Sequence, residues 1–230
     1  MFVKFPQTPY LWDESAHTSR EDKQLSQEET LDFLKNELVI EEKVDGANLG
    51  FHLENGEILY QNRGSYIYEP YLGQWENLNT WQATNWLLRQ NIRSGLIYFG
   101  EWCYLKHSIF YNNLPNCFLG FDVYDINNNT FLSSELRDRI FIDIGLPPIN
   151  RISRGVFTLK ELNEMLNLKS IYGNSNIEGL YLRHEENGKL IARAKYVNEA
   201  FRISINNHWS KSKKVRNIVN HQARYEYNNE

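Results

Sequence analysis

Two Asn-Gly pairs constrain this chain more than any other feature. Asn55-Gly56 separates the apolar-alternating runs Leu49–Leu53 and Ile58–Gln61, and Asn187-Gly188, after Glu186, separates Gly179–His184 from Lys189–Tyr196. A two-residue turn that matches strand twist needs positive φ at both central positions, which Asn and Gly tolerate. Each pair therefore predicts an antiparallel hairpin. Leu38–Ile40, Gly95–Cys103 and Phe118–Asp125 read as further strands, the last two separated by a loop with Asn112, Asn113 and Pro115.

Helical signals fall between the strands. Ser26 with Glu29, and Thr158 with Glu161, have capping-box spacing. They predict helices over about 27–36 and 158–166. Trp75 to Gln90, Glu135 to Ile144 and the tail from Glu199 to about Asn206 also read as helical, whereas Met1 to Lys23, with Pro6 and Pro9, reads as irregular. No repeat or long linker interrupts the 230 residues, so one α+β domain built on antiparallel sheets with flanking helices is expected over 1–200, followed by a short basic helical tail over 201–230.

Hydrophobic residues at 41% and charged residues at 23% are ordinary for a globular chain. Aromatics reach 14%, which suits stacking on bases and equally suits a β-rich core. A net charge of −4 gives no whole-chain nucleic-acid footprint. The stretch from Asn206 to Arg224 nevertheless holds no acid and carries Lys211, Lys213, Lys214 and Arg216, a phosphate-binding patch or a solvated basic helix end. Cys103 and Cys117 provide neither a disulfide framework nor a zinc quartet. With no leader-like N-terminus and no apolar run of membrane-spanning length, the expectation is a cytoplasmic chain without a membrane partner. The sequon Asn128-Asn129-Thr130 then reads as chance. His52, His107, His184 and His208 fit no metal or triad pattern.

Chemistry concentrates in a set of short motifs. Lys43-Val44-Asp45-Gly46, in "EEKVDGAN", places a lysine among acids where a strand gives way to a turn. Alone it is as much an ion-paired surface cation as a nucleophile. Downstream, in order, stand Arg63-Gly64, Phe99-Gly100-Glu101-Trp102, Phe121-Asp122-Val123-Tyr124-Asp125, Glu178-Gly179-Leu180-Tyr181-Leu182-Arg183 and Ala192-Arg193-Ala194-Lys195-Tyr196. A lysine must shed its proton before attacking phosphorus, and Arg63, Lys195 or a bound cation would favour that loss against the acidic neighbours.

This ordered set, spanning roughly Leu38 to Tyr196, resembles the covalent nucleotidyltransferases, the ATP-dependent ligases and capping enzymes. The resemblance implies an ATP-grasp-like ligase adenylation domain in which Lys43 forms a lysyl-AMP intermediate. It assigns Lys195 to the α-phosphate, Arg63 and Arg193 to phosphates or ribose, Glu101 to the ribose and Glu178 to Mg²⁺ or Mn²⁺. Phe121 resembles the adenine-stacking aromatic, Glu42 a nucleobase contact and Asn48 a nearby polar group. Arg193 departs from the pattern, which often has lysine there.

Only Val197 to Glu230 follow the last motif, too few residues for the OB-fold of DNA ligases and capping enzymes. A stand-alone transferase domain is most similar to the small RNA ligases near the RNA ligase 2 and editing-ligase branch, and "FGEWCYLKHSI" and "RAKYVNEAF" resemble bacterial and phage RNA ligases. The implied substrates are ATP and an RNA with 5′-phosphate and 3′-hydroxyl ends, handled by a monomer, with room for an end-healing partner protein. On this reading Lys211, Lys213, Lys214 and Arg216 contact the RNA backbone. Two other readings stay open: a small DNA ligase, and a non-catalytic module that binds nucleotides or RNA ends.

Overall fold

Both Asn-Gly pairs turn hairpins. In the computed structural model, which describes residues 1–13, 23–198, 214–220 and 222, Asn55 and Gly56 have φ of 52° and 83°, and Asn187 and Gly188 have 50° and 76°. The first pair joins β2 (Ala47–Glu54) to β3 (Glu57–Gln61), and the second joins β9 (Gly179–Glu186) to β10 (Lys189–Val197).

The two hairpins belong to different sheets. A four-stranded sheet has the order β10-β9-β1-β8, with β1 at Leu38–Lys43 and β8 at Arg151–Gly155. A six-stranded sheet has the order β4-β3-β2-β5-β6-β7, completed by β4 (Tyr66–Ile67), β5 (Leu96–Trp102), β6 (Phe118–Asp125) and β7 (Thr130–Phe131). Every strand pairing in both is antiparallel. The expected α+β class with antiparallel sheets and flanking helices is thus what forms, and the described residues close no barrel.

Period-two alternation along β1 decides what each face carries. Leu38 and Ile40 face α1 (Gln27–Phe33) and α5 (Leu159–Met165), in a core with Phe33, Leu162, Leu180 and Leu182. Full burial of such side chains stabilises by roughly 1.5–3 kcal/mol each. Both helices open with complete capping boxes, Ser26 with Glu29 and Thr158 with Glu161. The six-stranded sheet packs Phe51, Tyr98 and Phe118 against Trp81 of α2 (Leu78–Thr84), Leu88 of α3 (Trp86–Asn91) and Phe141 of α4 (Ser134–Asp143).

Two elements differ from the sequence reading. The single helix foreseen from Trp75 to Gln90 is two helices, because Asn85 leaves helical geometry at φ −97° and ψ 68°. Its amide bonds the Trp81 carbonyl at 2.6 Å and accepts from Asn116 at 3.0 Å, so a tertiary partner fixes the break. Strand β8, too short and too charged for an alternation signal, was not foreseen; it pairs with β1, Val39 opposite Arg154. The opening segment forms no helix or strand over its described residues, as read, yet it is tied into the fold: Lys195 donates its amide hydrogen to the Pro9 carbonyl, and Leu11 donates to the Lys195 carbonyl.

The helix expected from Glu199 to Asn206 lies outside the described residues. No helix among the described residues is long and apolar enough to cross a membrane. Both cysteines are free thiols.

Candidate active site

The chain passes from one sheet to the other at Lys43–Ala47. Lys43 ends β1 and Ala47 begins β2, so Val44-Asp45-Gly46 is the crossing itself. Gly46 has a steric reason to be glycine: a Cβ there would stand 2.7 Å from the Trp102 carbonyl oxygen and 3.1 Å from Glu101 Cγ. That close approach lets the Gly46 amide donate to Glu101 Oε1 at 2.9 Å. Asp45 is held on its other side, its carboxylate accepting from the Ser108 and Ile109 amides at 2.5 and 3.0 Å while its own amide donates to the Tyr111 hydroxyl at 2.9 Å.

Strand pairing assembles the motifs around this crossing. Lys43 lies opposite Gly179, which brings Glu178 beside it; Asn48 lies opposite Glu101; Lys195 lies opposite Tyr181. The result is a cleft of about 570 Å³ lined by Lys43, Asn48, Arg63, Glu101, Phe121, Glu178 and Lys195, with Glu42 also in its wall. Six separated segments of chain thus supply these residues to one cavity.

Lys43 Nζ and Glu178 Oε2 are 2.6 Å apart, with the lysine side chain only 25% exposed. Burial pulls the lysine pKa down, but Glu178, Glu101 and Asp45 outweigh it and hold the ammonium above the ordinary lysine value. In the free protein the acidic neighbours prevail over the cations expected to favour the neutral amine. Burial pushes Glu101 up to about 8, with Lys43 opposing, and raises Glu178 in the same way. Glu42 points to the opposite face of β1, where Asn150 Nδ2 is 3.4 Å from its carboxylate, and burial pushes it up to about 7.

Among the described residues no three His, Cys, Asp or Glu side chains form a metal cage. Mg²⁺ and Mn²⁺ sites need none, since such ions are commonly held by one or two carboxylates together with substrate phosphates and water. Glu178 and Glu101 supply hard oxygen donors, and the buried Asn48 Oδ1 has no hydrogen-bond partner among the described residues. This donor set fits a divalent cation that arrives with a nucleotide.

Phe121 lines the cleft with its ring 5.2 Å from that of Phe5, and its carbonyl accepts from Arg137 and Arg183 at 2.7 and 3.1 Å. Behind it lies a buried ion-pair network. Asp122 bonds Arg183 at 2.6 Å, and Arg137 reaches Glu41 at 2.6 Å, all of them side chains without solvent exposure.

Arg193, expected at the phosphates or ribose, is part of that network and does not line the cleft. It pairs with Asp122 at 2.9 Å, its guanidinium carbon lying 4.1 Å from the Phe131 ring centroid. A planar cation that stacks and forms an ion pair is well suited to such a place. Of the basic tail, Lys211 and Lys213 lie outside the described residues. Lys214 is exposed, and Arg216 bonds Glu76 at 3.2 Å over the Tyr104 ring.

The N-terminal segment was missed as part of the site. Phe5, Thr8 and Tyr10 line the cleft, and Lys195 Nζ sits 3.8 Å from the Tyr10 ring centroid. No periodicity or motif marks these residues; Phe5 is placed by packing on Phe99, Phe121 and Phe131, and Tyr10 by its bridge to Lys195 of β10.

The fold recurs in solved structures. Naegleria gruberi RNA ligase with PPi superposes with a TM-score of 0.62 at 18% identity over 90% of this chain and 64% of that one. A lysine-to-alanine variant of Naegleria gruberi RNA ligase with ATP and Mn gives 0.56 at 15% identity, over 74% and 52%. An apo lysine-to-alanine variant gives 0.58 at 17% identity, over 74% and 51%. This chain thus spans between about half and two thirds of the length of those structures. A sequence search of curated proteins returned no match. Residues 36–197, which run from the end of the first helix through β10, match the family model described as RNA ligase, and this chain belongs to the RNA ligase family.

Proposed function

We propose that the chain is an ATP-dependent RNA ligase that works through a lysyl-AMP intermediate on Lys43. The carrying observation is the placement of Lys43, 2.6 Å from Glu178 in a cleft that also holds Lys195, Arg63, Glu101 and Phe121. On this reading ATP lies along this lining. The base stacks on Phe121, Glu101 accepts from the ribose, and Lys195 and Arg63 face the phosphates. Membership in the RNA ligase family supports the reaction class, and solved relatives with ATP and Mn support the nucleotide and a divalent ion.

In the first step a bond forms between Lys43 Nζ and the α-phosphorus of ATP, the bond from that phosphorus to the bridging oxygen breaks, and pyrophosphate leaves. Glu178 holds the lysine as ammonium in the free protein, so the proton must depart before attack. Drawing the carboxylate away from Nζ removes the strongest anionic influence on it. Glu178 would hold a divalent cation, Mg²⁺ or Mn²⁺, whose charge would neutralise the phosphate oxygens when bound. Lys195 and Arg63 stabilise charge on those oxygens in a preorganised site. AMP then passes to an RNA 5′-phosphate, and a 3′-hydroxyl displaces it to seal the strand.

The partner on this reading is RNA with 5′-phosphate and 3′-hydroxyl ends, as in repair of cleaved RNA in the cytoplasm, with an end-healing protein supplying such ends. Exposed Lys214 and Arg216 are the described residues of that basic set offered to its backbone. Incubation with ATP labelled in the α-phosphate and Mn²⁺ tests the first step: a covalent AMP adduct should form and vanish in Lys43→Ala. Nicks with RNA or DNA on each side then assign the substrate. No adduct from the native chain would leave a binding module, and sealing of DNA alone would make it a DNA ligase.

A further inference from the structure

The stretch 214–220 lies as a strap across the loop that follows β5. Lys106 donates its amide to the Val215 carbonyl at 2.8 Å, Asn217 donates to Tyr104 at 3.1 Å, and Ile218 donates to Tyr111 at 2.9 Å. Asn217 does more than continue this ladder. Its Nδ2 donates to the Cys103 carbonyl at 2.8 Å, and its Oδ1 accepts from the Tyr111 amide at 2.9 Å. One side chain therefore joins the two ends of the loop between Cys103 and Tyr111. An asparagine amide, with a donor and an acceptor at one tip, suits that bridge.

That loop is the part of the molecule that grips Asp45. The Ser108 and Ile109 amides bind the carboxylate, and the Tyr111 hydroxyl accepts the Asp45 amide hydrogen. Cys103, at the other end of the bridge, follows Glu101 by two residues, and Glu101 accepts from Gly46. Both sides of the crossing Val44-Asp45-Gly46 are thus fastened through backbone that Asn217 ties together.

We propose that Asn217 is a positioning residue that sets the crossing next to Lys43, acting through Tyr111 and the loop around Asp45. The inference rests on the reading of Lys43 as the nucleophile. It makes the strap a part of the site, more than 100 residues along the chain from Asp45. Misplacing a nucleophile by about 1 Å can slow attack by about 10²-fold without changing how the substrate binds.

The test compares full-chain Asn217→Ala with Asn220→Ala. Asn220 lies on the same strap and bonds Asn113 at 2.9 Å, away from Asp45. Asn217→Ala should lower kcat for lysyl-AMP formation by about 10²-fold with KM for ATP little changed, and should speed hydrogen exchange of the Ser108 and Ile109 amides. Asn220→Ala should do neither. If Asn217→Ala does not fold, Asn217→Asp keeps the acceptor for Tyr111 and loses the donor to Cys103, and a smaller change in the same two readouts is expected. Wild-type kcat and exchange in the folded Asn217 variant, or equal losses in Asn220→Ala, would overturn the proposal. A native chain that forms no adduct refutes the reading of Lys43 alone, because exchange at Ser108 and Ile109 still decides the hold of Asn217 on Asp45.

Discussion

Lys43 and Glu178 form a 2.6 Å ion pair between the end of β1 and the residue just before β9. Burial works against the lysine charge, and Glu178 is the largest influence working for it. The attacking amine must be neutral, so its population rises about tenfold per pH unit below its pKa. Single-turnover adenylation should therefore climb steadily between about pH 6 and pH 9. Glu178→Gln removes the anion, lowers the lysine pKa and should move that climb to lower pH. Its plateau should fall by about 10²-fold because an amide is a poorer ligand for the divalent cation that would neutralise the phosphates. A pH profile with the native position in Glu178→Gln would remove Glu178 from control of Lys43.

Glu42 predicts a pH-dependent stability change with the opposite logic. Burial raises its folded pKa to about 7 from an ordinary carboxylate value of 4.5. Below the lower value both folded and unfolded chains carry the proton, and the group is neutral to stability. Between the two values the unfolded chain alone is ionised, so stability falls as pH rises through this window, and above it the penalty is complete. Glu42→Gln should thus match the native protein in urea unfolding near pH 4.5 and exceed it at pH 8, by up to about 3 kcal/mol. Equal gaps at both pH values would show that Glu42 does not titrate in this window.

Gly46→Ala tests the crossing between the sheets. Its Cβ would meet the backbone oxygen of Trp102 at 2.7 Å, and backbone of a buried strand yields little. Overpacking of this kind costs about 1–3 kcal/mol. The amide bond from Gly46 to Glu101 would lengthen as the strands part. Thermal unfolding should show the lost stability, and adduct formation should fall further than the melting shift explains. Native adduct yield in Gly46→Ala would mean that the crossing tolerates displacement.

Legibility followed the range of the interactions. Asn55-Gly56, Asn187-Gly188 and the two capping boxes act within four residues, and all formed as their sequence suggests. The motif residues Lys43, Glu101, Glu178 and Lys195 carried a readable order, and strand pairing brings them into one cleft. Tyr10 was invisible because its place depends on β10, some 185 residues away, and β8 because its strand identity comes from pairing with β1. The break at Asn85 depends on Asn116 in the same manner.

Arg193 is the residue where motif position and tertiary setting part company. Its ion pair with Asp122 and its stack on Phe131 place its charge behind the cleft, and Asp122 also neutralises Arg183. Removing a buried partner leaves the remaining charge uncompensated, which costs about 3–5 kcal/mol. Asp122→Ala takes the ion-pair partner from Arg193 and one of the partners from Arg183, which keeps Glu185 at 2.5 Å, and should be the more damaging variant in urea unfolding. Arg193→Met keeps apolar bulk against Phe131 while Arg183 still neutralises Asp122, so its loss should be smaller. Because Arg193 stands outside the cleft, ATP affinity of folded Arg193→Met, measured by calorimetry, should stay close to native, whereas Lys195→Met should weaken it by about tenfold or more, the scale of one charged hydrogen bond. A comparable loss of ATP affinity in Arg193→Met would return this arginine to the nucleotide site.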